Sequence, residues 1–485
     1  MMNKINKPNI LEINYSRYIL FGIFVLFFVF FVGAFSTHFF SDDYKFLAAS
    51  KAFNFLLFLS PIRTTFYRPL PTEFFYFILQ RLPFPILTGH IFVFIIFLLG
   101  VFILYKTLLL FTKNRILSLF SSILYLFHFS HVYQLYWFAT FQEVAQFTLL
   151  ISSLYFTLRK RFAISIVLFV LALFSKEQAI LFPFVALFFY YLIYKKIPTI
   201  FFLYFFLDSI FVCLHLFVNF QMPILQEYII HISPKLIINN ALWYGLWSLG
   251  FPAMMPDYMR SIFSLPFGAF WTYFSSPGFS FYFFGMLLYT FIIVIFLSFT
   301  FVNIKVKKNF VIYFFVGSVL FILFLLPVLP IIHRWMVRLT IPLVFISTIQ
   351  GLVLASLWKY KKMKLFIVLL VALYLVWNYF GIKQHEVIST YKLESSITKQ
   401  AINVFSNENR FEKCKILFIK DPKRMNMSSW DGSEKLALSL SGDSFLSYYF
   451  PKRDDLKVEY EYVIKKPSIG SCIINADELI QYNAK

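Results

Sequence analysis

Two acids stand side by side at Asp42 and Asp43, the only adjacent acidic pair in the first 382 residues, just after an apolar run from Tyr18 to Ser36. Neighbouring carboxylates repel, so one keeps a raised pKa unless a cation or metal shares the site, which suits a general base working beside a lipid interface. The same pair also suits the start of an amphipathic helix near Tyr44, since Asp caps free backbone N–H groups. The cations such chemistry needs lie further along. Phe174-Ser175-Lys176-Glu177-Gln178 interrupts two apolar runs; Lys176 and Glu177 form either an interfacial ion pair or a phosphate-binding point charge with Glu177 orienting it. His333-Arg334-Trp335-Met336-Val337-Arg338 opens a later apolar run. Its arginines either face lipid headgroups or form a fork on a lipid phosphate.

Two further groupings carry weaker chemistry. His128 and His131 have helical i, i+3 spacing and Glu143 follows, but with no fixed third ligand the pattern reads as interfacial histidines rather than a metal site. Asp208 and His215, two turns apart in one predicted helix, suit a buried proton relay. No Gly-rich phosphate loop or nucleophile elbow is present, so a nucleotide site has no support. Of the three cysteines, Cys414 and Cys472 fall in the tail and can pair if the tail is extracytoplasmic.

The elements that must position these residues are mostly apolar helices. A 60% hydrophobic composition and a mean hydropathy of +0.74 exclude an ordinary soluble protein. Apolar runs near 18–36, 86–111, 116–130, 140–158, 162–174, 178–194, 198–220, 281–302, 309–330, 339–357 and 364–382 predict about eleven transmembrane helices. The first is too long, and lacks the small-residue cleavage site, for a removed signal peptide. The net charge of +21 is a topology signal, not a nucleic-acid footprint: residues 1–382 carry +19 and the tail only +2. Lys4, Lys7 and Arg17, then Lys106, Lys113 and Arg115, Arg159 to Arg161, Lys195 and Lys196, Lys305 to Lys308, and Lys359 to Lys364 fall on alternate loops. This places the N-terminus in the cytoplasm and the tail outside.

On that topology seven acids, including Glu73, Glu143, Glu177, Glu227 and Asp257, and ten cations, including Arg63, Arg68 and Arg260, gather on or near the outer face. The outer loop at 37–85 alternates Phe-rich stretches with Pro69, Pro71, Pro83 and Pro85, predicting short helices along the membrane surface. The loop at 221–280, with Trp243, Trp247 and Trp271, reads as a second interfacial layer. After Gly381 the chain turns polar. A helix over 386–405 and strands at Cys414–Ile419, Val458–Ile464 and Ile469–Ile474 predict a small soluble extracytoplasmic α/β domain over 383–485, beside a polytopic transmembrane domain over 1–382.

An acidic pair after the first helix (Phe40-Ser41-Asp42-Asp43-Tyr44), Arg68-Pro69-Leu70 in the same outer loop, Ser175-Lys176-Glu177, and Arg338 followed by Pro342 together resemble the GT-C glycosyltransferases. These polytopic enzymes include the protein O-mannosyltransferases and the bacterial aminoarabinose and related lipid-linked sugar transferases. The likeness covers roughly residues 15 to 380; the fourth motif reads Arg338-Leu339-Thr340-Ile341-Pro342 where the family usually has Arg-Tyr. The resemblance implies transfer of a sugar from a polyprenyl-phosphate carrier on the extracytoplasmic face, with Asp42 or Asp43 as base. It implies that Lys176, Arg338 and Arg68 meet the carrier phosphate, supported by Glu177, His333, Arg334 and Glu143. The acceptor is a lipid, glycan or protein.

Such an enzyme stabilises its leaving phosphate with side chains and needs no cofactor, although a diphosphate donor would favour a divalent metal. The expectation is therefore an inverting-type membrane glycosyltransferase of the plasma membrane, its partners the lipid-linked donor and membrane lipids, with no nucleic acid. A transporter or flippase using Asp208 and His215, and a non-enzymatic assembly subunit, are the competing classes. The leading reading requires Asp42, Asp43, Lys176 and Arg338 to converge on one outer cavity.

Overall fold

The computed structural model describes residues 10–60, 67–221, 228–259, 268, 270–302, 307–388, 390–407, 414–421, 432–453 and 455–480. Lys4, Lys7, Arg63, Glu227, Arg260 and Lys305 lie outside the described residues. The molecule is a mostly helical membrane protein with a small α/β unit at its C-terminal end.

Helix α1 (Ile10–Phe31) tightens into a 3₁₀ turn at Val32–Ser36. The loop at 37–85 then forms α2 (Asp42–Ala49), α3 (Phe55–Phe58) and α4 (Phe75–Leu79), short helices as the prolines predict. A π-helical turn, Leu70–Phe74, leads into α4, and Leu70 N–H donates to the Phe174 carbonyl (3.2 Å), tying Arg68 to the end of a distant helix. The bundle continues with α5 (Pro85–Thr112), α6 (Arg115–Leu126), α7 (Val132–Tyr136), α8 (Phe141–Leu158), α9 (Phe162–Leu173), α10 (Phe182–Tyr194) and α11 (Phe201–Gln221). The second outer layer holds α12 (Pro234–Ser248) and α13 (Phe270–Phe274), before α14 (Pro277–Val302), α15 (Lys307–Leu325), α16 (Pro342–Leu357) and α17 (Lys364–Ile388).

Each of the eleven predicted apolar runs contains a helix. Among the described residues five are long and apolar enough to cross a membrane, or six if a bent pair counts as one span. That pair corrects the expected helix 116–130. The chain breaks at Phe127–His128 and turns by 49° into 129–136, because the His128 ring accepts the Ser130 N–H (3.3 Å) and caps a new start. Helix α15 stops at Leu325 instead of 330, since Pro327 and Pro330 cannot continue it. Pro342 likewise fixes the start of α16, three residues after the expected 339.

Helix pairs α6–α16, α5–α8, α8–α9 and α14–α17 make the main packing of the bundle. Close approach decides the first pair: a Cβ at Gly351 of α16 would lie 2.8 Å from the Ser121 backbone nitrogen of α6. With no hydrophobic gain in lipid, such backbone-to-backbone packing is what associates helices.

The polar composition after Gly381 does not end α17, which runs on to Ile388. Helix α18 (Thr390–Asn407) follows, then α19 (Gly432–Leu440), α20 (Ser444–Tyr449) and α21 (Ala476–Leu479). Strands β1 (Ile416–Lys420), β2 (Lys457–Tyr460) and β3 (Cys472–Asn475) form a parallel sheet in the order β2-β1-β3. All three are shorter than expected. Cys414 and Cys472 are joined in a disulfide, Cα–Cα 5.9 Å, beside the β1–β3 pairing.

The candidate active site

The acid pair begins in the first turn of α2, where carboxylates suit the positive end of the helix dipole. Its two members face different surroundings. Asp43 is fully buried: Tyr76 Oη donates to its Oδ1 (2.5 Å) and Phe40 N–H to its Oδ2 (3.0 Å). Burial pushes its pKa up to about 8; the Tyr76 and Phe40 hydrogen bonds work against that rise and the charge of Asp42 works with it. Asp42 instead lines a cavity of about 830 Å³ and pairs with exposed Lys45 (2.9 Å).

The residue before it, Ser41, has φ 52° and ψ −128°, a conformation essentially reserved for glycine that costs about 1–3 kcal/mol and persists only where surroundings enforce it. Ser41 also lines the cavity. Such strain beside a solvent-accessible carboxylate marks the turn as a functional candidate.

The cavity walls are largely aromatic. Trp137, placed at the end of α7, stacks on Phe40 (5.4 Å between centroids) and lies 5.6 Å from Trp335 and 5.7 Å from Tyr391. Tyr133 closes on Tyr391 from below at 5.5 Å. Large amphipathic rings offer flat apolar surface with a polar tip. Among the described residues Arg334 is the one Lys or Arg that lines the cavity. Asp257 lies in its electrostatic reach; burial raises the Asp257 pKa and the Arg334 charge lowers it in part.

The other predicted cations are placed elsewhere. Lys176 is buried in an ion pair with Glu143, at the junction of α9 and α10 against α8. Arg68 forms a two-pronged pair with Glu177 (2.9 and 2.8 Å) and donates to Gln142 Oε1 (2.7 Å). Both pairs partner the charge expected to meet a phosphate, and neither Lys176 nor Arg68 lines the cavity with Asp42. These four residues are a structural network bolting the π-helical turn and α8 to the α9–α10 junction. Arg338 is buried, donates to the His333 carbonyl (2.6 Å) and lies with its guanidinium 5.6 Å from the Tyr228 ring. It does not line the cavity; it shapes the loop that places His333 and Arg334 there.

The expected four-residue convergence is thus replaced by Asp42 and Arg334. Sequence reasoning missed Trp137, Tyr391 and Glu394, which line the same cavity, because they come from an ordinary helix end and from a tail whose docking has no local signal. Asp257 and Arg334 were legible as outer-face charges but not as neighbours.

The histidines are core residues: His131 Nε2 lies 2.7 Å from the Tyr125 carbonyl and His128 Nδ1 2.8 Å from Ser130 Oγ. Among the described residues no group of three His, Cys, Asp or Glu side chains is arranged to hold a metal ion. In α11, Asp208 Oδ1 and His215 Nε2 are buried without hydrogen-bond partners; His215 packs on Phe211 and Tyr67 (4.5 and 6.2 Å) rather than on Asp208. No protein-family model, curated protein or solved structure matches the chain.

Proposed function

We propose that the protein is a membrane glycosyltransferase that moves a sugar from a polyprenyl-phosphate carrier to a hydroxyl-bearing acceptor on the extracytoplasmic face. The observation that carries the reading is one cavity holding a carboxylate on a strained turn, a guanidinium and a wall of Trp and Tyr rings. Asp42 takes the proton of the acceptor hydroxyl as its oxygen bonds to the anomeric carbon. The bond from that carbon to the phosphate oxygen breaks, and the electron pair leaves with the polyprenyl phosphate. Arg334 neutralises the departing anion, as a guanidinium does with two parallel N–H donors. The aromatic wall holds the sugar, Asp257 offers a second carboxyl near Arg334, and Arg338 keeps the His333–Arg334 loop in register. Lys176, Arg68, Glu177 and Glu143 act through the fold.

Reading all eleven apolar runs as crossings, with a cytoplasmic N-terminus and the C-terminal unit outside, supplies the required sidedness. The Cys414–Cys472 disulfide supports this, since such bonds persist in oxidising compartments. The site puts its charges at the ends of the helices; the intramembrane pair Asp208 and His215 makes no mutual contact that would favour a transporter. The test is incubation of the purified protein in lipid with labelled polyprenyl-phosphate sugars and an envelope extract. Transfer by the wild type and its loss in Asp42→Asn support the reading; full transfer by Asp42→Asn sinks it.

A further inference from the structure

The chain from Ser36 to Ser41 belongs to the outer loop, yet the C-terminal unit holds its backbone at four points. His38 N–H donates to Ser395 Oγ (2.8 Å), and Thr398 Oγ1 donates to the Phe39 carbonyl (3.0 Å). Lys399 Nζ donates to the Ser36 carbonyl (3.0 Å), and Ser41 N–H donates to the Ser439 carbonyl (2.7 Å). Ser395, Thr398 and Lys399 are spaced i, i+3, i+4, so a single face of α18 presents all three. Tyr44, two residues after Asp42, donates to the Phe39 carbonyl (2.8 Å) with its Oη 3.2 Å from Thr398 Oγ1, and its ring packs edge-on against Phe445 at 5.4 Å. Backbone groups outside regular structure need partners, and here one helix supplies those of Ser36, His38 and Phe39.

The same unit faces the cavity. Tyr391, one turn before the clamp on α18, Glu394 immediately before it, and Leu438 of α19 line it. A Lys435–Glu394 ion pair (2.8 Å) locks α19 to α18, so the segment carrying Ser439 is fixed relative to the clamp. The Ser41 N–H is therefore held from outside the loop, while its carbonyl accepts the Tyr44 N–H within it.

We propose that α18 is the positioning element for Asp42, with Ser395 and Thr398 as positioning residues, and that the C-terminal unit is a working wall of the site. The inference deepens the transferase reading and rests on it for its kinetic consequence alone. If the clamp sets the carboxylate, loosening it lowers turnover without changing how the donor is bound, since the donor phosphate is met by a different loop.

The test compares full-length protein with Ser395→Ala/Thr398→Val and with Ser395→Thr/Thr398→Ser, which keeps both hydroxyls. Two readouts are taken: amide hydrogen exchange over residues 36–44, and kcat and KM for a labelled polyprenyl-phosphate sugar. The clamp predicts exchange faster by about tenfold or more and kcat lower by about tenfold in the first variant, the size expected for the loss of about one net hydrogen bond. Donor KM should stay unchanged, and the hydroxyl-keeping variant should recover both values. Unchanged exchange overturns the clamp. Faster exchange with full kcat overturns its role in setting Asp42, as does a rise in KM with kcat intact. A wild type inactive with every donor removes the transferase reading, while the exchange measurement still decides whether α18 holds the loop.

Discussion

At the residue scale, Asp42 and Asp43 are adjacent in sequence and opposite in environment, and their substitutions separate cleanly. Asp42→Asn should lower transfer by about a hundredfold or more, the range of general-base contributions. Asp43→Asn should fold and insert, because a neutral amide can stand in the same place: its oxygen accepts the Phe40 N–H and, with the Tyr76 hydroxyl turned round, its NH₂ donates to Tyr76 Oη. The carboxyl of Asp43 goes from 3.8 unfolded to about 8 folded. Between these values the folded state holds a proton that the unfolded state has lost, so its stabilising contribution is full below about pH 4 and is lost as pH rises through about 8. Unfolding in detergent across this range should show wild-type stability falling with pH relative to Asp43→Asn. The acid pair and its place after the first helix were readable from two letters and an apolar run. Which acid faces the cavity was not, because that depends on Tyr76 and Phe40 closing over one of them. Arg334→Ala should weaken donor binding about ten- to a hundredfold, as loss of a charged hydrogen bond does; Arg334→Lys should recover it only in part, since a point charge cannot grip two phosphate oxygens.

At the element scale, Lys176–Glu143 and Arg68–Glu177 are each paired within the protein. Lys176→Ala leaves Glu143 buried without its cation, which should destabilise the protein by about 3–5 kcal/mol. The matched replacement Lys176→Met/Glu143→Met should restore most of the melting temperature, with donor KM unaffected throughout. A rise in donor KM for Lys176→Ala in protein that melts normally would return the lysine to the phosphate site. The sequence announced these charges because they interrupt apolar runs; it could not say that each was already matched, since Lys176 and Glu143 lie 33 positions apart. Helix existence was legible throughout from apolar runs of the right length. Their ends followed Pro327, Pro342 and the His128 cap, which act locally and override hydropathy. Gly351→Val should separate α6 from α16 and cut the yield of folded protein, measured by size-exclusion recovery from detergent, because the added methyls have only the Ser121 backbone to occupy.

At the scale of the whole molecule, the C-terminal unit was visible as a change in composition, while its docking onto residues 36–51 was not. Contacts such as Lys51 Nζ to the Ser447 carbonyl (2.6 Å) join positions 396 residues apart and leave no periodic trace. The Cys414–Cys472 crosslink closes a span of 58 residues; in the chain-entropy account its loss costs about 4 kcal/mol. Cys414→Ser/Cys472→Ser should therefore lower the unfolding midpoint of the C-terminal unit, and, if that unit shapes the cavity, transfer should fall at temperatures where the bundle is still intact. The clamp on Ser41 has one more consequence, which concerns birth instead of catalysis. His38 leaves the ribosome 357 residues ahead of Ser395, an interval on the order of tens of seconds at ordinary elongation rates. Throughout it the loop beside the first helix lacks the partners that the C-terminal unit gives its backbone, so on the clamp proposal a nascent chain would thread its helices into the bilayer with the site still unset. On the transferase reading, activity would arrive only with the final fifth of the polypeptide: a chain broken off after α17 would sit in the membrane and transfer nothing, and a cell that aborts synthesis midway would be left with an inert fragment.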